Sequence, residues 1–561
     1  MNKKYIYTGL LGLASLAFTG CTNLDEEVFS DLTQDNYYTD KASVIAALTR
    51  PYEHGHWCGW EGDRWILQEL SADHFVWAQK GKHGYDGGQW IRMHEQTWTA
   101  DEGVINGGWV GPFQGIQQCN LYIADFTGLD YVGMGMTEAD KKQHIAEMRT
   151  LRSWFYLFLI DFFRNVPIST DIVTQVGQST PQEVFAHVDA ELDAALNDLP
   201  VNGVSGRWDQ AGNRAIKVRL YLNAEKWIGK AMYEEAAAIA QEIIDGKYGT
   251  YALDADYRGP FRSGVNGYKS PENIFEFPHA RKYLEMGWMY DACMHYQARY
   301  SLDNDKGGWN GITLTPSRDL KGDIYNYQMG KPYEKFVDGD YRKQQFKTTA
   351  KGGQYDGFFL IGQQYAFDYK NGFGYTDEKI LGTEEWNKEP LNYVDQIGRF
   401  SEGANGLAKG SHVNTGEENS GVRFIKFPWL PESQSLFMMN YVAEVRLAEM
   451  YYVVAENAFR KGDVAKAAQY LDDVRKRNYP ASIWAENSYV LNPSKLTEDE
   501  FVDELGREFL GERHRRTDLI RFNRFGNEWW DKKATTGKEI YPIPNRIVNS
   551  NPLIEQTTPG F

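Results

Sequence analysis

The chain has 561 residues, and 60 Lys and Arg against 77 Asp and Glu leave a formal charge of −17, which excludes function through a general affinity for nucleic acid or anionic lipid surfaces. The hydrophobic set makes up 42 % and charged residues 24 %, a composition that excludes disorder and allows a large core. What needs explaining is an aromatic content of 14 %, with 17 Trp, 35 Tyr and 29 Phe, beside 54 Gly in an acidic chain.

Residues 1–21, MNKKYIYTGLLGLASLAFTGC, have a basic start, an apolar run from about Leu10 to Phe18 and then small residues, the pattern of a signal peptide. The run is too short for a bilayer span, which needs roughly 20 apolar residues, and no later segment is apolar enough to be a transmembrane helix. Cys21 directly follows Thr19 and Gly20, as in a bacterial lipobox. This makes Cys21 the candidate lipidation site, and two or more acyl chains, at about 0.8 kcal/mol per buried CH₂, anchor stably. An ordinary secretory signal with Cys21 incidental is the competing reading. The remaining Cys58, Cys119 and Cys293 have no short CxxC spacing, so neither a disulfide framework nor a zinc motif is indicated, and buried free thiols are expected.

In chain order, residues 54–115 are rich in Gly and Trp and poor in helical period, the texture of an irregular insertion. Over 140–163, Ile145, Met148, Leu151, Phe155, Phe158 and Phe162 recur at three and four, which predicts a helix ending before Pro167. Residues 213–245 predict two helices with Gly229 between them. A second loop-rich stretch covers 258–435. Residues 440–477 predict another pair, with stripes Leu447/Tyr451/Val454/Ala458 and Val464/Ala467/Leu471/Val474, turning at Gly462 and Asp463. Thr497 and Glu500 have the spacing of a capping box for a last helix running toward Phe525. Small residues such as Ala467 and Ala468 let antiparallel helices approach closely, and the pairs resemble the helix-pair repeat of tetratricopeptide arrays in degenerate form. The fold class is therefore mostly α: a degenerate tetratricopeptide-like helix-pair scaffold with large irregular loop-rich insertions, in a single globular unit.

Seven Trp (Trp57, Trp60, Trp65, Trp77, Trp90, Trp98 and Trp109) fall within 57–109, more than four times their density in the whole chain. Indole rings stack on the apolar face of a pyranose; covering ~50 Å² contributes on the order of 1 kcal/mol per ring. GQWIRMHEQTW from Gly88 brings Trp90, Arg92, Glu95 and Trp98 together, with Asp73 and Trp77 just upstream. A second group, Tyr283, Trp288, Tyr290 and Trp309, lies in the other insertion. The candidate ligand-binding residues are Asp73, Trp77, Trp90, Arg92, Trp98, Tyr283, Trp288, Tyr290 and Trp309: charged groups give directional bonds to hydroxyls, rings give area. Packing in the core competes with binding for each.

Other motifs are weaker. Arg513, His514, Arg515 and Arg516 are interleaved at helical spacing with Glu508, Glu512 and Asp518, so intrahelical pairing or structural ion pairs outweigh phosphate binding. DNDKGG from Asp303 starts like a calcium loop, but position 12 is Leu314. His54 and His56 have no third metal ligand nearby. A glycosidase needs two carboxylates about 5–10 Å apart, which acidic content alone cannot show. No GxSxG, HExxH, Walker A or dinucleotide fingerprint occurs. No cofactor, metal or catalytic residue is assigned.

Six segments in order resemble the SusD/RagB family of nutrient-binding outer-membrane lipoproteins: WVGPFQGIQQCN from Trp109, EMRTLRSWFYLFLIDFFRNVPIST from Glu147, SPENIFEF from Ser270, RLAEMYYVVAENAFRKGDVAKAAQYLDDVRKR from Arg446, GREFLGERHRRTDLIRF from Gly506 and YPIPNRIVNSNPLIEQTTPGF from Tyr541. Two local departures are Arg164 where the family commonly has Gly, and Thr558-Pro559-Gly560 in place of Asn-Pro-Gly. The resemblance implies a helical half with tetratricopeptide-like repeats facing a SusC-like TonB-dependent transporter, packed against an irregular glycan-binding half. It also implies a surface-exposed lipoprotein of the cell outer membrane, with Asp25-Glu26-Glu27 similar to a surface-export signal. The expected division is a signal peptide at 1–20, an N-terminal helical region at 21–255 containing the Trp-rich insertion 54–115, and a C-terminal SusD/RagB region at 256–561. The expected function is capture of oligosaccharide or polysaccharide and its delivery to the transporter, without catalysis. Peptide or glycoprotein-derived cargo, and a surface glycoside hydrolase, are the alternatives.

Overall fold

The computed structural model describes residues 37–60, 62–279, 287–303, 307–398, 410–431 and 440–561. The leader, Cys21, the acidic triplet and Tyr283 lie outside them. The principal helices of the first half are α1 (Lys41–Trp60), α2 (Asp63–Glu69), α3 (Gln89–Glu95), α4 (Gly103–Gly128), α5 (Glu138–Phe163), α6 (Pro181–Leu196), α7 (Gln210–Leu222), α8 (Ala224–Ile228) and α9 (Tyr233–Ile244). Later come α10 (Trp288–Cys293), α11 (Ala298–Leu302), α12 (Leu447–Arg460), α13 (Val464–Arg475), α14 (Glu498–Glu508) and α15 (Arg515–Arg521).

Local chemistry accounts for most boundaries. Thr137 and Asp140 close a capping box at the start of α5, and Thr180 and Glu183 another at α6, where Pro181 takes the first helical position. Gly229 ends α8 at φ 74°. Gly462, at φ 79°, turns the chain between α12 and α13, and the Asp463 carboxylate accepts from the Lys466 N–H at 3.1 Å. Helix α4 packs on α5, α5 on α6, α6 on α7, α7 on α9, α9 on α12 and α12 on α13, so the pairs predicted from periodicity form one continuous layered array.

Three expectations need correction. The stretch 54–115 is largely helical, because the glycines of α4 are contact points: a Cβ at Gly115 would stand 2.3 Å from the Phe155 ring and one at Gly108 2.3 Å from Leu67. The last helix is two helices, interrupted where Gly511 and Arg513 take φ 74° and 65°. Thr497 accepts from the Glu500 N–H at 3.2 Å, but the Glu500 carboxylate accepts from Tyr489 and Arg507 instead of closing the box. His54 and His56 are both buried, His54 against the Gly111 carbonyl at 2.8 Å and His56 against the His279 ring, so no surface metal site exists there.

Arg164 does stand in a turn suited to glycine, at φ 62°. Its guanidinium donates to the Ile160 carbonyl at 2.5 Å and to Asp161, capping its own helix. The basic run pairs across the molecule: Arg513 with Glu444, Arg515 with Asp73, Arg516 with Asp161 and Arg521 with Glu456. Cys58, Cys119 and Cys293 are buried free thiols.

The residues 258–435 that the structure describes are mostly loops and short hairpins. All strand pairing among the described residues is antiparallel and two-stranded. The strands that matter for the site are β1 (Phe75–Trp77), β2 (Asn273–Phe277), β3 (Ile312–Leu314), β4 (Tyr365–Asp368), β5 (Gly374–Lys379) and β6 (Val442–Arg446). β1 pairs with β3, tying the Trp-rich segment to the second loop-rich segment, and β6 pairs with β2 and runs directly into α12.

Candidate functional site

The β1–β3 pairing sets Trp77 opposite Ile312, beside Gly311. Any side chain at 311 would collide with the indole, since a Cβ there would lie 2.5 Å from Trp77 Cε2. Trp77 can therefore lie flat against the backbone, and Trp90 of α3 stacks on it with ring centroids 4.5 Å apart and planes 5° from parallel. The Trp90 indole N–H donates to the Asp86 carboxylate at 2.6 Å, which fixes its rotation.

Trp288, at the start of α10 and half-buried, joins the two groups. Its ring centroid lies 6.4 Å from Trp77, 5.6 Å from Trp65 beneath and 6.3 Å from Trp309. The result is a contiguous ladder, Trp90, Trp77, Trp288, Trp309, that starts in the core and ends on Trp309, which is 48 % exposed. Tyr85, 52 % exposed, sits near the Trp90 end: a Cβ at Gly88, the residue before α3, would lie within 4 Å of both the Tyr85 ring and the Arg92 guanidinium.

The segment carrying Trp309 is held firmly. The N–H groups of Gly308, Trp309, Asn310 and Gly311 donate to the carbonyls of His295, Asp291, Met294 and Ala292 at 2.6 to 3.0 Å. Buried Lys80 donates from Nζ to the Asn310 and Gly311 carbonyls, both at 2.8 Å. Arg423 donates to the Asn310 side-chain oxygen at 2.7 Å. Burial, reinforced by the Arg423 charge, puts Lys80 well below the ordinary lysine range. An exposed ring on so fixed a backbone loses little freedom on binding, which is what a stacking platform needs.

The other candidates separate cleanly. Arg92 lies at the ladder's edge, but it is paired with Glu102 (Nη2 to Oε2 2.8 Å) and also donates to the Gly87 carbonyl, so it supports the α3 turn. Asp73 is fully buried and accepts from Arg515 at 2.6 and 2.9 Å and from the Gly330 N–H at 2.7 Å. Burial alone would raise its carboxyl, but the Arg515 charge and its bonds hold it far below the usual carboxylate range. Trp98, 2 % exposed, packs on Tyr541 at 4.7 Å, and Tyr290 is buried against Trp429 at 5.6 Å. Asp73, Trp98 and Tyr290 are thus parts of the core, away from the ladder's exposed end. The sequence analysis did not single out Tyr85, Lys80 or Gly311; the one available signal was Trp309 flanked by glycines in Gly307-Gly308-Trp309-Asn310-Gly311.

The arrangement offers apolar ring area, and two described carboxylates beside it, Asp86 and Glu102, are engaged by Trp90 and Arg92.

The chain is similar over 447 residues to the starch-binding protein SusD of Bacteroides thetaiotaomicron, at 24 % identity covering 75 % of this chain and 74 % of that protein. Among solved structures it is similar to a laminarin-binding SusD-like protein (TM-score 0.65, 20 % identity, 93 % of this chain and all of that one). It is also similar to surface glycan-binding protein A of Bacteroides thetaiotaomicron in complex with laminarihexaose (TM-score 0.60, 17 % identity, 93 % and 100 % covered). The family model described as SusD family matches residues 271–561, more than half of the chain, and the protein belongs to the SusD family.

Proposed function

We propose that this protein is a non-catalytic, surface-anchored glycan-binding lipoprotein that captures oligosaccharides and passes them to a SusC-like TonB-dependent transporter. The observation that carries the reading is the aromatic ladder surfacing at Trp309. The printed names of its relatives, starch-binding, laminarin-binding and glycan-binding, point the same way. Two or three stacked rings with a few hydrogen bonds reach only about −4 to −8 kcal/mol, micromolar to millimolar. That range suits a protein that must release its cargo to a transporter.

Among the described residues no helix is long and apolar enough to cross a membrane; the anchor in this reading is lipid on Cys21, which the lipobox-like Thr19-Gly20-Cys21 supports. The test of binding is electrophoresis of the purified protein through gels containing starch, laminarin, mannan or xylan. Retardation in at least one gel, without release of new reducing ends, is expected. Reducing-end release would contradict the non-catalytic claim, and retardation in none would contradict glycan binding. Replacing Cys21 by Ala should free the protein from the membrane fraction, and unchanged retention would refute the anchor. Purification under mild detergent should bring down a large outer-membrane barrel; a protein always recovered alone would refute the transporter partnership.

A further inference from the structure

Close to the Trp309 segment is a small pocket of about 140 Å³. Its polar lining comes from Ser301, Gln345, Lys347, Gln363, Gln364, Tyr365 and Tyr375, and among the described residues no Asp or Glu lines it. Met294 also lines it, and the Met294 carbonyl accepts from the N–H of Asn310, one residue past Trp309. The pocket and the ladder's exposed end are therefore built on the same stretch of backbone.

Its side chains are preset. Gln363 donates from its amide to the Gln364 carbonyl at 2.9 Å, and Gln364 to the Gly362 carbonyl at 2.8 Å. Both bonds use the amide N–H groups and leave the carboxamide oxygens as acceptors. Tyr365 and Tyr375 stand on the β4–β5 hairpin, both more than a third exposed. Tyr375 is buttressed edge-on by Phe367 at 5.0 Å, and its hydroxyl accepts from the Thr348 N–H at 3.2 Å. Amide acceptors, phenol hydroxyls and ring faces, with no carboxylate among the described lining residues and the one lysine, Lys347, exposed to solvent, match a neutral polyhydroxylated ring: hydroxyls meet the amides, and C–H faces meet the tyrosines.

We propose that this pocket is a second subsite that takes one neutral pyranose unit of the cargo, a branch or terminal residue of a glycan whose chain lies across Trp309. The proposal rests on the glycan-binding reading above. Joining two weak subsites on one ligand raises affinity for longer or branched glycans over their single sugars without strengthening any contact.

The test is saturation-transfer NMR on the full chain with free glucose, galactose and mannose at millimolar concentration. To remove stacking at the ladder, the measurement is made in a Trp309→Ala chain: at least one of these sugars should still receive saturation, and its affinity should fall about fivefold or more when Tyr365→Ala or Gln345→Ala is added, one hydrogen bond or ring contact each. Both pocket positions are partly exposed, so these variants keep the fold. No signal from the Trp309→Ala chain, or a signal that neither pocket substitution weakens, overturns the subsite. If polysaccharide gels retard the wild type and no monosaccharide signal is seen, the subsite alone fails. If no gel retards it, the glycan reading fails and the subsite with it.

Discussion

Glu69 is fully buried in α2; one carboxylate oxygen accepts from the Arg513 N–H at 2.6 Å and the other has no partner. Burial pushes its carboxyl up to about 8, against the relief of that one bond. The folded state thus keeps a proton that the unfolded chain gives up near its ordinary value of about 4.3. Stability contributed by this group is present at low pH and is lost as pH rises through that window. Glu69→Gln should therefore raise the urea midpoint relative to wild type more at about pH 8 than at about pH 5, because the buried histidines that also titrate in this window are common to both proteins and cancel in the comparison. An unchanged difference would show that Glu69 does not titrate as its burial requires. The same scale shows why Asp73 misled the sequence reading. A buried carboxylate and a surface one have the same letter, and its partner Arg515 lies 442 positions away. Trp98 differs from Trp309 only in what surrounds it, whereas the glycines around Trp309 carried a local trace of its setting.

Elements meet at Glu444, on β6. Its carboxylate accepts from the Trp60 indole at 3.2 Å (α1), the Trp154 indole at 2.9 Å (α5), Arg219 at 2.7 Å (α7), and Arg513 ahead of α15. Removing the charge leaves the buried Arg513 guanidinium facing a neutral amide, while Arg219 keeps its pair with Glu449 at 2.7 and 2.8 Å. Glu444→Gln should cost about 3–5 kcal/mol in urea unfolding, and a loss under about 1 kcal/mol would mean the hub is hydrated. Helices with regular apolar stripes, α5, α9, α12 and α13, were legible because packing on one face dictates their period. Helix α4 was not, since glycine in a helix signals a close neighbour only once that neighbour is known. The break at Gly511 was hidden for a related reason: the Arg and Glu pattern there suits a helix locally, but its partners are distant.

Across the whole molecule, the helices pack as one continuous array, and the two aromatic groups meet beside it. The pairing of β1 with β3 makes one ladder out of two aromatic groups about 200 residues apart, a union that spacing along the chain could not reveal. The family, by contrast, was legible from six ordered segments, because its helices and caps leave local signatures while its ligand loops do not. The account's central claim is that the ladder holds glycan through its exposed end. The most direct measurement compares wild type and Trp309→Ala in the polysaccharide gel that retards wild type, with thermal unfolding recorded on both. The account predicts that retardation falls by about fivefold or more, on the order of 1 kcal/mol for one lost ring, while the melting temperature stays near wild type. Undiminished retardation by Trp309→Ala, in a protein that melts normally, would contradict it.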